Sequence, residues 1–487
     1  VSVPRRFAAL VLCALGACLV PPRAQALAFA ELPPEQQTML DELEHRSFDF
    51  FRDSANPANG QVPDHWPRDR GDYFSSIAAV GFGLTAYAIG VERGWMTRDE
   101  AVRRTLATLR FFHDAPQGGA RDATGHRGFF YHFLDIDSGR RYGGKSWVEL
   151  STIDTTLLLG GVLFAGSYYD RDDAAEAEIR RLAEAIYRRV DWRWASPRAP
   201  LVAMGWTPEA GFIRVDWRGY NEAMLLYVLA LGSPTHAIDA SAWRAWSQSY
   251  DATWGTFEGQ EHLGFAPLFG HQYSHVWIDF RGIRDDYMRR HDLDYFENSR
   301  RATLAQRAYA IRNPLHWRGY GAELWGLTAC NGPRPPIRRG QPNPYAADAP
   351  PFYGYVARGA GLRGTLDDGT IAPTAAASSI AFAPEIAIPA IAAMRRYGEP
   401  LYTRYGFVDA FNPSFTFADR PLRTGRVVPG LGWVDNLYLG IDQGPIVAMI
   451  ENYRSDLVWK VMRRNPHIRA GLERAGFRGG WLDEAGH

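Results

Sequence analysis

Apolar residues recur at helical spacing along most of the chain. The stretch "LPPEQQTMLDELEHRSFDFFRDS" carries them after a Pro-Pro start, which suits the first turn of a helix. "SSIAAVGFGLTAYAIGVERG" opens on serines able to cap a helix and closes at Gly94. "TRDEAVRRTLATLRFFHDA" begins with Thr97, and Glu100 follows three residues on, a capping box. The same period predicts helices near 147–169, 172–190, 219–232, 239–253, 291–312, 374–397 and 439–463. Alternating strands are scarce, and "HRGFFYHFLDIDSGRRY" is the best candidate for a short hairpin. The Pro-rich "CNGPRPPIRRGQPNPYAADAPP" reads as a long loop. Helices in consecutive pairs, joined by loops rich in Gly, Asp and aromatics, predict an all-α toroid of helical hairpins. Such an array gathers its loops at one mouth.

The N-terminus departs from this pattern. Arg5 and Arg6 precede an apolar run from Phe7 to Val20, 14 residues long and too short to span a bilayer. Residues 1–26 read as a signal peptide cleaved after Ala26 or Ala28, with residues 27–487 as a single exported domain. "LGAC" also offers lipoprotein processing at Cys18, so a periplasmic or secreted location stands beside a lipid anchor. Of three cysteines in the chain, Cys330 clearly survives cleavage, which leaves no intramolecular disulfide and no cysteine zinc site. A hydrophobic content of 46% in 487 residues supplies a full core instead. Lys plus Arg and Asp plus Glu each number 54, with no basic stripe, which argues against a nucleic-acid partner.

Candidate chemistry lies at the ends of helices and in the loops. "FGHQYSHVWIDFRGIRDDY" mixes Tyr273, His275, Trp277, Asp279, Arg281 and Arg284, a polar cleft with aromatic walls or a buried ion-pair network. His271 and His275 have metal-ligand spacing, but no Glu follows His271 in the HExxH pattern and the segment around Ser274 does not read as helical. No phosphate loop, dinucleotide fingerprint or nucleophile elbow is present. Carboxylates amid aromatics remain: Glu149, Asp154, Glu222, Asp279, Glu323 and Asp442. An acid at a helix start is commonly structural, held by the dipole and free N–H groups. Six of them beside Trp, Tyr or Gly fit glycoside hydrolysis, which needs one carboxyl to protonate the leaving oxygen and another to activate water or attack carbon. The 16 Trp could supply walls for apolar sugar faces.

Several long stretches match a known pattern. "ELSTIDTTLLLGGVL", "GYNEAMLLYVLALGSPTH", "QYSHVWIDFRGIRD", "GYGAELWGLTACNGP", "DDGTIAPTAAASSIAFAPE" and "LGIDQGPIVAMIENYRS" are among them. With these the chain, from about residue 35 to 475, resembles the glycoamylase-like family of bacterial proteins, whose members include glycoside hydrolase family 144 endo-β-1,2-glucanases. The resemblance implies an (α/α)6 barrel and a β-1,2-glucan substrate, linear or cyclic. It leaves open a retaining transglycosylase and a catalytically silent glycan-binding barrel. His65 stands where the family pattern has Arg.

Within that reading Glu222 is the general acid. A helix start would lower its pKa, whereas burial beneath Trp206, Trp217 and Tyr220 would raise it toward the working pH. Asp442 is its partner, the base of an inverting mechanism, because it opens a helix beside Gly440 and Gly444, which would let substrate approach. Glu149 and Asp154 are the reserves. Tyr273, His275, Trp277, Asp279, Arg281, Arg284, Glu323, Trp325, Trp433 and Trp217 are expected to line sugar subsites. No metal and no organic cofactor are expected.

Overall fold

The computed structural model describes residues 27–67, 73–144, 147–335 and 352–484. The signal peptide expected at 1–26, with Cys18, lies outside the described residues. No described helix is long and apolar enough to cross a membrane.

The fold is helix-rich, about 45% helical, with short strands that form no closed sheet among the described residues. In chain order the helices are α1 (Pro34–Ser54), α2 (Ile77–Glu92), α3 (Arg98–Asp114), α4 (Thr152–Tyr168), α5 (Ala174–Arg188), α6 (Met224–Gly232), α7 (Ser241–Ser247) and α8 (Phe269–Trp277). They continue as α9 (Asp286–Arg290), α10 (Tyr295–Arg312), α11 (Pro373–Ala377), α12 (Pro384–Arg395), α13 (Gly440–Ser455), α14 (Leu457–Arg463) and α15 (Pro466–Arg474).

Composition separates inner helices from outer ones. In α3 the buried residues Ala101, Val102, Thr105, Leu106, Leu109 and Phe112 follow one face, and Arg103 and Arg110 point outward. By contrast α2, α4 and α6 are apolar all round and buried on nearly every side. The inner helices touch in sequence: α2 packs on α4 and α13, α4 on α6, α6 on α8, and α11 on α13. Gln272 of α8 reaches α11, donating to the Ala375 carbonyl and the Ser379 hydroxyl, both at 2.9 Å. Glycines set the closest crossings. A Cβ on Gly81 would lie 2.2 Å from the Leu157 carbonyl oxygen, and one on Gly161 would lie 2.0 Å from that of Gly81. Gly440 and Gly444 similarly face Ala79 and Phe82 of α2. Their smallness lets α13 approach α2, which corrects the expectation that they admit substrate.

The N-termini of α2, α4, α6 and α13 share one side with the short strands. Ser76 caps α2 by accepting from the Ala79 amide, and Ser151 caps α4 by accepting from Asp154. His65–Trp66 pairs antiparallel with Tyr438–Leu439, and Phe74–Ser76 with Phe133–Asp135. The expected hairpin is therefore split. Within the segment His126 pairs with Phe129 and Leu134 bridges to Arg141, while Phe129–Tyr131 also joins Leu150–Ser151 in a five-stranded sheet.

Two helix boundaries differ from expectation with consequences for the site. The helix expected at 219–232 begins at Met224, so Glu222 stands in the preceding turn rather than on the helix. The segment around Ser274 is helical after all, as α8, because its polar residues find partners inside the core. Cys330 is buried and unpaired, as its apolar setting predicts.

Candidate active site

The mouth formed by these helix starts holds a cavity of about 260 Å3 whose walls include Asp64, His65, His132, Asp154, Asn331 and Tyr355. His132 is the hub of one wall. Its Nδ1 lies 2.9 Å from Glu149 Oε1 and its Nε2 lies 3.4 Å from Asp154 Oδ1. Burial opposes its charge, but the two carboxylates overcome this and lift its pKa to about 9. Ser151 donates to Asp154 Oδ2 at 2.5 Å. The reserve pair Glu149 and Asp154 is thus joined through a histidine that the sequence did not single out. The ligand atoms of His132, Glu149 and Asp154 all lie within 4.8 Å of one another, a spacing that could hold a metal ion. Without a metal the protonated imidazole and its two carboxylates form an ion-paired clamp, and an ion would have to displace that proton to bind.

Opposite stands a group of buried aspartates. Asp442 sits in the first turn of α13, next to the wall residue Ile441. Its pKa is raised well above the usual range by burial, then by Asp409, Asp435 and Asp64. Asp442 Oδ2 and Asp409 Oδ1 are buried without a conventional donor, and the two carboxyls interact directly. Such a pair titrates as a unit, and the repulsion between its members opposes ionising both. Asn331 organises the group: its amide donates to Asp409 Oδ2 at 2.8 Å and its side chain to Asp435 Oδ2 at 3.0 Å. Buried Arg358 steadies Asn331 from behind, donating to the Cys330 carbonyl at 2.6 Å while paired with Asp368.

Glu222 comes from the third side. Ser274 of α8 donates to its carbonyl at 3.0 Å and accepts from the Leu225 amide at 3.0 Å, which fixes the turn against α6. Burial raises the Glu222 carboxyl to a pKa of about 7, and the negative charge of Asp154 adds to that effect. Tyr273 ties the three sides together. Its hydroxyl is pushed well up by burial and by the charges of Asp442, Glu222 and Asp154. Asp154 lines the cavity, Glu149 meets it at His132, Asp442 and Tyr273 adjoin the lining residue Ile441, and Glu222 lies near enough for its charge to act on Tyr273, so the five gather around this cavity.

The other expected subsite residues do not. His275 is fully buried among Phe280, Phe296 and Phe382, its Nε2 lies 3.1 Å from the Ser299 hydroxyl, and burial lowers its pKa to about 3. His271 is likewise buried, bonded to the Phe265 carbonyl. Trp277 is fully buried on Phe82 and donates to Thr85. Asp279 and Arg281 follow the C-terminal end of α8, away from the helix starts. Asp279 pairs there with Arg281 and Arg463, and Arg281 also with Asp456. Arg284 pairs with surface Asp292. The ion-pair network is the correct account for Asp279, Arg281, Arg284 and Asp286, each matched by an opposite charge, while buried Asp285 accepts from Trp243, Tyr295 and the Met288 amide. Glu323 lies in an outer groove paired with Arg396. Trp325, Trp433 and Trp217 are buried, with no face free for a sugar. The last two act as supports, donating to the Thr424 carbonyl and the Thr152 hydroxyl, both at 2.9 Å. Trp206 stacks on His126, and Tyr220 packs on His271 and Tyr295.

Missed altogether were Asp64, His132, Asn331, Tyr355, Asp409 and Asp435. The one available signal was the string of isolated polar residues in otherwise apolar or Gly-rich loops.

The "Glycoamylase: Putative glucoamylase" family model matches residues 214–466. The chain is 28% identical over 480 residues to an exo β-1,2-glucooligosaccharide sophorohydrolase (non-reducing end) of Parabacteroides distasonis, covering 93% of this chain. It spans 59% of that relative's length. Among solved structures it resembles a "putative glucoamylase" of Bacteroides fragilis, with 30% identity and TM-score 0.76 over 94% of this chain and 100% of the other. It also resembles an endo-β-1,2-glucanase of Chitinophaga pinensis in complex with sophorotriose and glucose. That match has 27% identity and TM-score 0.75, over 92% of this chain and 99% of the other. The chain belongs to the glycoamylase-like family.

Proposed function

We propose that the protein is a glycoside hydrolase that cleaves β-1,2-glucan within one (α/α)6 barrel, by an inverting, two-carboxylate mechanism. Glu222 is the general acid and Asp442, coupled to Asp409, is the base. The observation that carries this reading is the Glu222 carboxyl, held protonated near neutral pH by burial and by Asp154. An acid catalyst needs a pKa close to the working pH. The base needs the opposite state, and the Asp442–Asp409 pair supplies it: with one proton shared, the pair keeps a net negative charge that can draw a proton from water. Glu222 gives its proton to the leaving glycosidic oxygen as the bond to the anomeric carbon breaks. Water, deprotonated toward the Asp442 side, attacks that carbon from the opposite face. The β-1,2-glucan-degrading activities named for the relatives from Parabacteroides distasonis and Chitinophaga pinensis support the choice of substrate.

Incubation with linear β-1,2-glucan, followed by reducing ends and product size, tests the reading. Growth of reducing ends with inversion at the anomeric carbon is expected. Redistribution of chain lengths without new ends would make it a transglycosylase. Binding without either change would make it a silent barrel, and cleavage of starch alone would overturn the substrate.

A further inference from the structure

The tryptophans expected to meet sugar are buried, yet Trp147 beside the mouth is not. Trp147 is 53% exposed, the highest value among the large apolar side chains of the described residues. Leaving an indole in water forgoes the stabilisation that burial would bring. This one is also firmly mounted. The next residue, Val148, is fully buried, and its carbonyl accepts from Arg141 Nε at 2.8 Å. Arg141 is itself buried and paired with Glu209 at 2.8 Å.

Trp147 ends a continuous aromatic surface that starts at the catalytic cavity. His132 stacks on Phe133 with ring centres 3.9 Å apart. Phe133 contacts Phe74 at 4.6 Å and Trp147 at 6.0 Å, and Tyr142 closes the patch 6.4 Å from Trp147. Phe74 and Phe133 both line the cavity. At about 260 Å3 that cavity falls below the ~300–1,000 Å3 of sites that enclose a drug-sized ligand. A polymer held there must continue outside it. The outward path from His132 runs along apolar rings, which suit the C–H faces of neutral sugar units.

We infer that Trp147 is a platform for glucosyl units of a β-1,2-linked chain lying beyond the cavity, so that the protein discriminates long chains from short ones. This rests on the hydrolase reading. The test compares wild type, Trp147→Ala and Trp147→Tyr on long linear β-1,2-glucan and on a β-1,2-linked trisaccharide. Trp147→Ala is expected to raise KM for the polymer about tenfold, the scale of one lost stacking contact, with kcat and the trisaccharide unaffected. Trp147→Tyr should restore most of the polymer KM. An unchanged polymer KM, or equal losses on both substrates, would overturn the platform. Retardation in gels containing β-1,2-glucan is read in parallel. An inactive wild type that is retarded in a Trp147-dependent way overturns the hydrolase reading alone. An inactive wild type without such retardation overturns both.

Discussion

Asp154 places its negative charge within reach of Glu222 and so adds to the desolvation that holds the Glu222 proton. The same carboxylate is tied to His132, 3.4 Å away, and to Ser151, so its position is set by α4 and not by substrate. Asp154 acts through another group and is a positioning residue.

This coupling predicts a direction in the pH profile. An acid catalyst must be protonated, so activity falls as pH rises through the Glu222 pKa of about 7. Asp154→Asn removes a negative neighbour and lowers that pKa. The alkaline limb of kcat/KM should then move to lower pH while the acidic limb stays in place. An unmoved alkaline limb would detach Asp154 from Glu222.

The aspartate pair predicts the opposite limb. Asp442 must be ionised to act as a base, so activity falls as pH drops through the pKa of the pair. Asp409→Asn removes the charge that raises Asp442. It should shift the acidic limb to lower pH and retain measurable turnover, whereas Asp442→Asn should lose at least about a hundredfold. Near-normal turnover in Asp442→Asn would place the base elsewhere.

Stability offers an independent view of Glu222. Its folded pKa of about 7 exceeds the ordinary glutamate value of 4.5, so the native state holds the proton more tightly than the unfolded chain does. Ionising the buried carboxyl therefore costs stability, beginning above the unfolded pKa and growing until the folded pKa is passed. Glu222→Gln removes that cost. Its melting temperature relative to wild type should rise between about pH 4.5 and pH 7, which thermal unfolding at several pH values would check. A constant difference would mean that Glu222 is not desolvated.

The ion-paired clamp predicts indifference to metal. The two carboxylates lift the His132 pKa to about 9, so an ion would have to displace a proton to bind there. Activity should survive EDTA undiminished. Loss on chelation, restored by a divalent ion, would turn His132, Glu149 and Asp154 into a metal site.

Close packing of the inner helices predicts a sharp intolerance. Gly161→Ala would drive a Cβ to 2.0 Å from the Gly81 carbonyl oxygen. Destabilisation of at least ~1–3 kcal/mol in chemical denaturation is expected. A neutral substitution would mean that α2 and α4 do not cross there.

The parts of the fold that were legible in the sequence are those with local signals. Ser76 and Thr97 mark α2 and α3 because a cap and an apolar period coincide. At Glu222 the apolar run continues into a turn with no capping side chain, so the helix start was placed too early. At α8 the polar residues looked like a loop because their partners, such as Ala375, Ser379 and Ser299, lie far along the chain. Glu222 and Asp442 were legible as acids against apolar runs. Asp409, Asp435 and His132 were not, since each sits in a short irregular segment and only helix packing brings them together. Tryptophan content pointed to sugar binding but could not separate buried Trp277 and Trp433 from exposed Trp147.

The central claim is that Glu222 delivers the proton to a β-1,2-glucan leaving group. Turnover of linear β-1,2-glucan by wild type and Glu222→Gln, with folding checked by circular dichroism, tests it most directly. The account predicts a folded, glucan-binding variant that has lost at least about a hundredfold in kcat. A folded variant that keeps most of the wild-type rate on the polymer would contradict it.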